Sequence, residues 1–267
     1  LPLGPLPVVD PTKPLDPIRP PVRVVDQPTK KTKSELPEVL ANREIINGIE
    51  SRLAQHWTSA KIAPSQQAED AAWCRRLYLR LLGRIPTVDE LKQFTKMPKT
   101  DRRELLVDQL LASEMYQDER SEYWASFLVN TFIGRRGGTG EKLGDRSHLL
   151  TYVRDSLQAS KPYDDMVYEL MSATGSSDPK SDEFNGAVNF WLVHYAPDSV
   201  QVTAHAAQVF WGESLGCVRC HDEIGGTGRQ EDYWQFNPLM RTVRAQKNPQ
   251  TGATKLVALG TDEPPEV

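Results

Sequence analysis

Residues 212–223 read GESLGCVRCHDE, and Cys217, Cys220 and His221 within them form C-x-x-C-H. The chain holds only three cysteines and five histidines, so composition alone rarely produces this grouping. At this spacing two thiols can form thioethers to the vinyl groups of a porphyrin while the adjoining imidazole takes the iron from one face. That chemistry predicts one covalent haem c, anchored by Cys217 and Cys220, with His221 as proximal ligand. Phe210 and Trp211, at the end of the apolar stretch from Val200, are the expected flat contacts. Gly212 and Gly216 would let the backbone approach the ring. For the opposite axial position the candidates are Met240, His194 and His205, with His148 and His56 behind them. An unbroken helix would set His205 roughly 18 Å from Cys217, which argues against it unless the helix ends early. A vacant sixth position is the remaining option.

Two other chemistries use the same residues. A structural zinc needs four ligands, and the third cysteine, Cys74, lies far upstream in an apolar helix, where a buried thiol is its natural role. A thioredoxin-like dithiol needs a preceding buried strand, whereas the stretch before Cys217 has helical periodicity.

The elements that must position this segment are helical. Leu40, Ile45, Ile46, Ile49 and Leu53 recur at helical intervals after Pro37. AEDAAWCRRLYLRLLG predicts a second helix ending at Gly83, and Thr87 to Glu90 forms a T-x-x-E capping box that opens a third. TDRRELLVDQLLAS and SEYWASFLVNTFIG continue the pattern to the Gly-rich stretch GRRGGTGEKLG. That stretch reads as a plain loop, since no strand precedes it and no Walker lysine pattern fits. RSHLLTYVRDSLQAS, YDDMVYELMSAT, AVNFWLVHY and DSVQVTAHAAQVFWGESLG carry the periodicity to the cysteines. The carboxylates of YDDMVYE fall at helical spacing, as a solvated face and a complement to the helix N-terminus. No alternating strands that would build a sheet are evident; only KLVAL, near the end, is β-like.

The expected fold is mainly α: an irregular multi-helix body with an extended Pro-rich N-terminal strap and a cytochrome c-like C-x-x-C-H segment. Nine of the twenty prolines fall in the first thirty-odd residues, so residues 1–36 are expected to be extended and to lie along other protein subunits. Residues 37–175 form the helical domain, 176–245 the haem-binding helical segment and 246–267 a turn-rich tail. The 39% hydrophobic content supports a real core. A formal charge of -4 provides no cationic field for nucleic acid. No apolar run reaches the length of a membrane span, and no secretory signal is visible.

Several blocks resemble the planctomycete-type cytochrome-like domain family, large extracytoplasmic proteins of poorly defined function. RRLYLRLLGRIPTVDEL, from Arg75 to Leu91, is similar to its R-R-x-Y-L-D-L-x-G-x-x-P-T-x-x-E block, with Arg80 where the family has Asp. RRELLVDQLLASEMY, KPYDDMVYEL and QVFWGESLGCVRCHDE, followed by QEDYW, resemble three further blocks in the family's order. Glu223 stands where the family often has a second histidine, which weakens any carry-over of a second ligand site. The resemblance, with covalent haem, implies a mature protein outside the cytoplasm, periplasmic or extracellular. The expected function is that of a mono-haem c-type cytochrome-like subunit of an extracytoplasmic assembly, passing single electrons to an unidentified redox partner. The alternatives are a scaffold subunit wrapping partner chains, with haem structural or absent, and a zinc-held interaction module. No Ser-His-Asp order, paired-carboxylate motif or phosphate loop supports a hydrolase, so an electron carrier or assembly subunit is favoured over a catalyst.

Overall fold

The computed structural model describes residues 42–135, 143–196, 199–226 and 228–259. The expected strap, most of the Gly-rich loop and the last residues of the tail lie outside these. The chain divides into two units, Leu1–Gln67 and Ala68–Val267. In the first, α1 (Asn42–Ser59) carries Ile45, Ile46, Ile49, Leu53 and Trp57 at helical spacing, and all five are exposed.

The second unit opens with α2 (Asp70–Leu82), α3 (Val88–Lys96) and α4 (Arg102–Ala112), followed by a 3-10 turn at Glu114–Tyr116. Cys74, Tyr78, Leu82, Phe94, Leu106, Leu110 and Tyr116 fill a small core between them. Both bonds of the capping box at α3 are present: Glu90 N donates to Thr87 Oγ1, and Thr87 N donates to Glu90 Oε2 at 2.6 Å. Glu90 also receives Arg84 Nη1 at 2.8 Å, Arg84 Nη2 at 2.9 Å and the Tyr116 hydroxyl at 3.1 Å, while Arg84 reaches Glu119 as well. Arg84 beside it holds the Glu90 carboxyl down at about 2. Asp70 ties the start of α2 to Arg102 and Arg103.

A larger core follows. The C-terminal half of α5 (Gln117–Ile133) packs with α6 (Arg146–Gln158) and α7 (Tyr163–Met171) around Val129, Phe132, Leu149, Val153 and Leu170. Residues 186–193 insert into it as a 3-10 turn and α8 (Asn189–Leu192); Trp191 is buried, with its Nε1 donating to the Leu170 carbonyl at 2.8 Å. Asn189 joins two stretches, giving Nδ2 to Gly186 O at 2.9 Å and receiving Asp145 N at 2.8 Å. On α7, Glu169 binds Lys161 and accepts the Tyr152 hydroxyl at 2.7 Å, while Asp164 and Asp165 stay exposed in the first turn.

The chain then runs through α9 (Val200–Ala206), α10 (Leu215–Val218) and α11 (Gln230–Met240). The fold is mainly α, as expected, but a sheet is also present. β1 (Gly175–Ser176), β2 (Val243–Lys247) and β3 (Thr254–Ala258) pair antiparallel in the order β1-β3-β2, with Ala245 opposite Leu256 and Leu256 opposite Gly175. Leu256 is fully buried and anchors the hairpin on the larger core. No helix among the described residues is long and apolar enough to cross a membrane.

Candidate functional site

Cys217, Cys220 and His221 sit where the chain doubles back between α9 and α11. Beyond Ala206 the helix widens into a π turn over Ala207–Trp211 and stops at Gly212, which takes the left-handed φ of 73°. The unbroken helix that would carry Cys217 away from His205 is therefore not formed. The chain folds back instead, so that a Cβ at Gly216 would stand 3.6 Å from Ala204, the neighbour of His205.

Val218 points inward and is buried, while both thiols and His221 face outward and are exposed. Both cysteines are free. His221 Nδ1 lies 2.7 Å from the carbonyl oxygen of Asp222. A carbonyl only accepts, so Nδ1 carries a proton, and the neutral ring in this orientation has its lone pair on Nε2, the tautomer that binds a metal through that atom.

The following loop and α11 fasten this turn in place. Gln230 N donates to Asp222 Oδ1 at 2.8 Å, and Glu223 N to Gly228 O at 2.8 Å. The Arg219 carbonyl receives Gln230 Nε2 at 3.1 Å and Trp234 Nε1 at 3.2 Å. Asp232 starts α11 by accepting Arg229 N at 2.9 Å. Asn237 Nδ2 binds α11 to α9 through a buried 2.9 Å bond to Thr203 Oγ1, and Thr203 donates on to Ser199 O.

The other nominated residues are placed differently. Phe210 is half-buried and packs against the larger core, its ring 5.4 Å from Phe190 and 5.8 Å from Phe132. Trp211 lies edge-on to Phe236 at 4.8 Å and remains 58% exposed. Met240 ends α11, ten residues or ~15 Å beyond the Gln230 that touches Asp222, and is buried in the larger core. His194 and His205 meet each other, with ring centroids 4.1 Å apart. His205 Nε2 is bonded to the Phe132 carbonyl, and His194 Nε2 is buried with no hydrogen-bond partner among the described residues. Burial, with His205 beside it, pushes the His194 imidazole down to about 4; burial also lowers His205, against the pull of the Phe132 carbonyl.

The aromatic residue at the C-x-x-C-H turn is Trp234, half exposed and bonded to Arg219, with Ile224 (93% exposed) in the adjoining loop. QEDYW contains the signal for it, because an exposed Trp beginning one turn into a helix has its indole N–H free to hold a neighbouring carbonyl. Among the described residues no three His, Cys, Asp or Glu side chains are grouped to hold a metal ion. Cys74 lies in the smaller core, where burial pushes its thiol up to about 11.

A mainly α body with a small sheet, displaying two free thiols and one oriented imidazole on an outward turn, defines the class. The chain belongs to the planctomycete-type family PSCyt2, described as a protein of unknown function (DUF1549), which matches residues 48–245. No curated protein and no solved structure matches it.

Proposed function

We propose that this chain is a mono-haem c-type cytochrome-like subunit of an extracytoplasmic assembly. The observation that carries the reading is the oriented imidazole. His221 Nδ1 is engaged by a backbone carbonyl, and two free exposed thiols stand in the C-x-x-C-H spacing beside it. Cys217 and Cys220 would hold the porphyrin, and His221 Nε2 would take its iron. When bound, the haem supplies one-electron redox chemistry. The protein's part is positional. Trp234 and Gln230 fix the Arg219 carbonyl, and Asp222 fixes the start of α11, so the thiols and imidazole share one outward turn. Exposed Ile224 and Trp234 offer apolar surface next to it. Haem c is attached outside the cytoplasm, which is the basis for the proposed location.

The test is intact-mass spectrometry with a pyridine haemochrome spectrum, on native material or on chain exported alongside a haem-ligation system. The expected result is the mass of one haem, resistant to acid acetone and lost in the Cys217→Ser/Cys220→Ser variant. An unmodified mass, with both thiols alkylated by iodoacetamide, would overturn the proposal.

A further inference from the structure

Away from the cysteines, α2 and α5 leave an open groove of about 800 Å³ between them. Its floor is aromatic and aliphatic: Trp73 and Leu77 from α2, and Tyr123, Trp124 and Phe127 from α5. The α5 rings form an edge-to-face ladder, 5.9 Å from Tyr123 to Trp124 and 5.5 Å from Trp124 to Phe127. Trp73 is held by Phe94, stacked at 5.9 Å, and by Arg103 over its face at 5.2 Å. These rings are fixed before anything binds. Phe127 nevertheless remains 52% exposed, and the core side of α2 is already filled by Cys74, Tyr78 and Leu82. The outer faces of the groove's rings, Phe127 above all, are thus left uncovered while their inner faces pack on the fold.

The rim is cationic. Arg76 and Arg80, one turn apart on α2, line the groove and are exposed, and none of the described residues lining it is acidic. Elsewhere acidic residues prevail, giving the chain its -4 charge. Rigid Trp and Tyr with Arg is the composition of binding hot spots rather than of an ordinary surface. A groove between two packed helices accepts a third helix by its i, i+3, i+4, i+7 side chains. We infer that the α2–α5 groove is a docking site for an acidic amphipathic helix of a partner protein, whose apolar stripe covers the aromatic ladder and whose carboxylates meet Arg76 and Arg80. The pairing of opposite charge at the rim sets which helix is accepted.

Two labelled synthetic helical peptides test this on the full chain by fluorescence anisotropy. They share one leucine and tryptophan stripe and differ only in flanking residues, Glu in one and Lys in the other. The Glu peptide is expected to bind in the micromolar range and the Lys peptide at least tenfold more weakly. Arg76→Glu/Arg80→Glu, at exposed positions, should reverse that preference with an unchanged circular-dichroism melt, and Phe127→Ser should weaken the Glu peptide. Equal binding of both peptides, no binding of the Glu peptide, or an unchanged preference in the double variant would overturn the inference. So would concentration-dependent self-association in sedimentation that Phe127→Ser abolishes, since the occupant would then be a second copy of this chain.

Discussion

Two imidazoles in ring contact inside an aromatic core have no good charged state. Protonating His194 would place a cation against His205, in a site where burial already holds the ring neutral. The sign of the pH effect follows. The unfolded chain binds a proton near the ordinary value of 6.5, whereas the folded chain resists until about 4. Stability from this residue is therefore complete above 6.5 and falls as the pH drops toward 4, by about 2 kcal/mol at pH 5. Urea denaturation at pH 7 and pH 5 should show that loss in the native chain and a smaller one in His194→Asn. Equal losses in the two proteins would mean that the acid sensitivity lies elsewhere. The fold sets the surroundings of both rings: His205 Nε2 is engaged by the Phe132 carbonyl, and the buried His194 lies against its ring. Sequence spacing shows that a histidine exists; which way its ring turns depends on contacts with Phe132 and Phe190, more than a dozen residues or several elements away.

Element boundaries were legible where local chemistry sets them. The Thr87 and Glu90 box, the stop of α2 at Gly83 and the left-handed Gly212 all answer to residues close in sequence. β2 was not legible, because VRAQK has little β character of its own and becomes a strand only by pairing with β3. The fold-back after Trp211 was half legible: Gly212 marks the turn, but the docking of Gly216 over Ala204 is tertiary. Gly83 shows how tightly one junction is built. It has φ 73°, and a Cβ there would stand 2.2 Å from the Tyr123 ring on α5. Gly83→Ala adds left-handed strain to a steric overlap and should cost about 3 kcal/mol. Adding Tyr123→Ala should recover the overlap part only, leaving about 1 kcal/mol of backbone strain. A thermal-denaturation double-mutant cycle reads the split; strictly additive losses would show that the two residues do not meet.

At the scale of the whole unit from Ala68 onward, two cores are joined by one continuous helix. The smaller is built from α2 to α4, the larger includes residues of α9 and α11, which hold the turn with the cysteines, and α5 runs from Tyr123 beside α2 into the larger core at Val129 and Phe132. A helix that packs beside α2 and supplies buried residues to the larger core links their unfolding, so the two cores should melt together. Leu110 and Leu192 are fully buried, one in each core. Replacing either by Ala removes buried methyl groups and leaves a cavity, at a cost of about 3 kcal/mol each. Because the two residues belong to different cores, the costs should add in the double variant while the transition stays single. Differential scanning calorimetry on residues 68–259 provides the measurement, since every residue of both cores lies within that span. One peak shifted by either variant is expected. Two resolved peaks, with Leu110→Ala moving one and Leu192→Ala the other, would show that α5 joins the cores only in space, and that the turn bearing Cys217, Cys220 and His221 rests on the larger core alone.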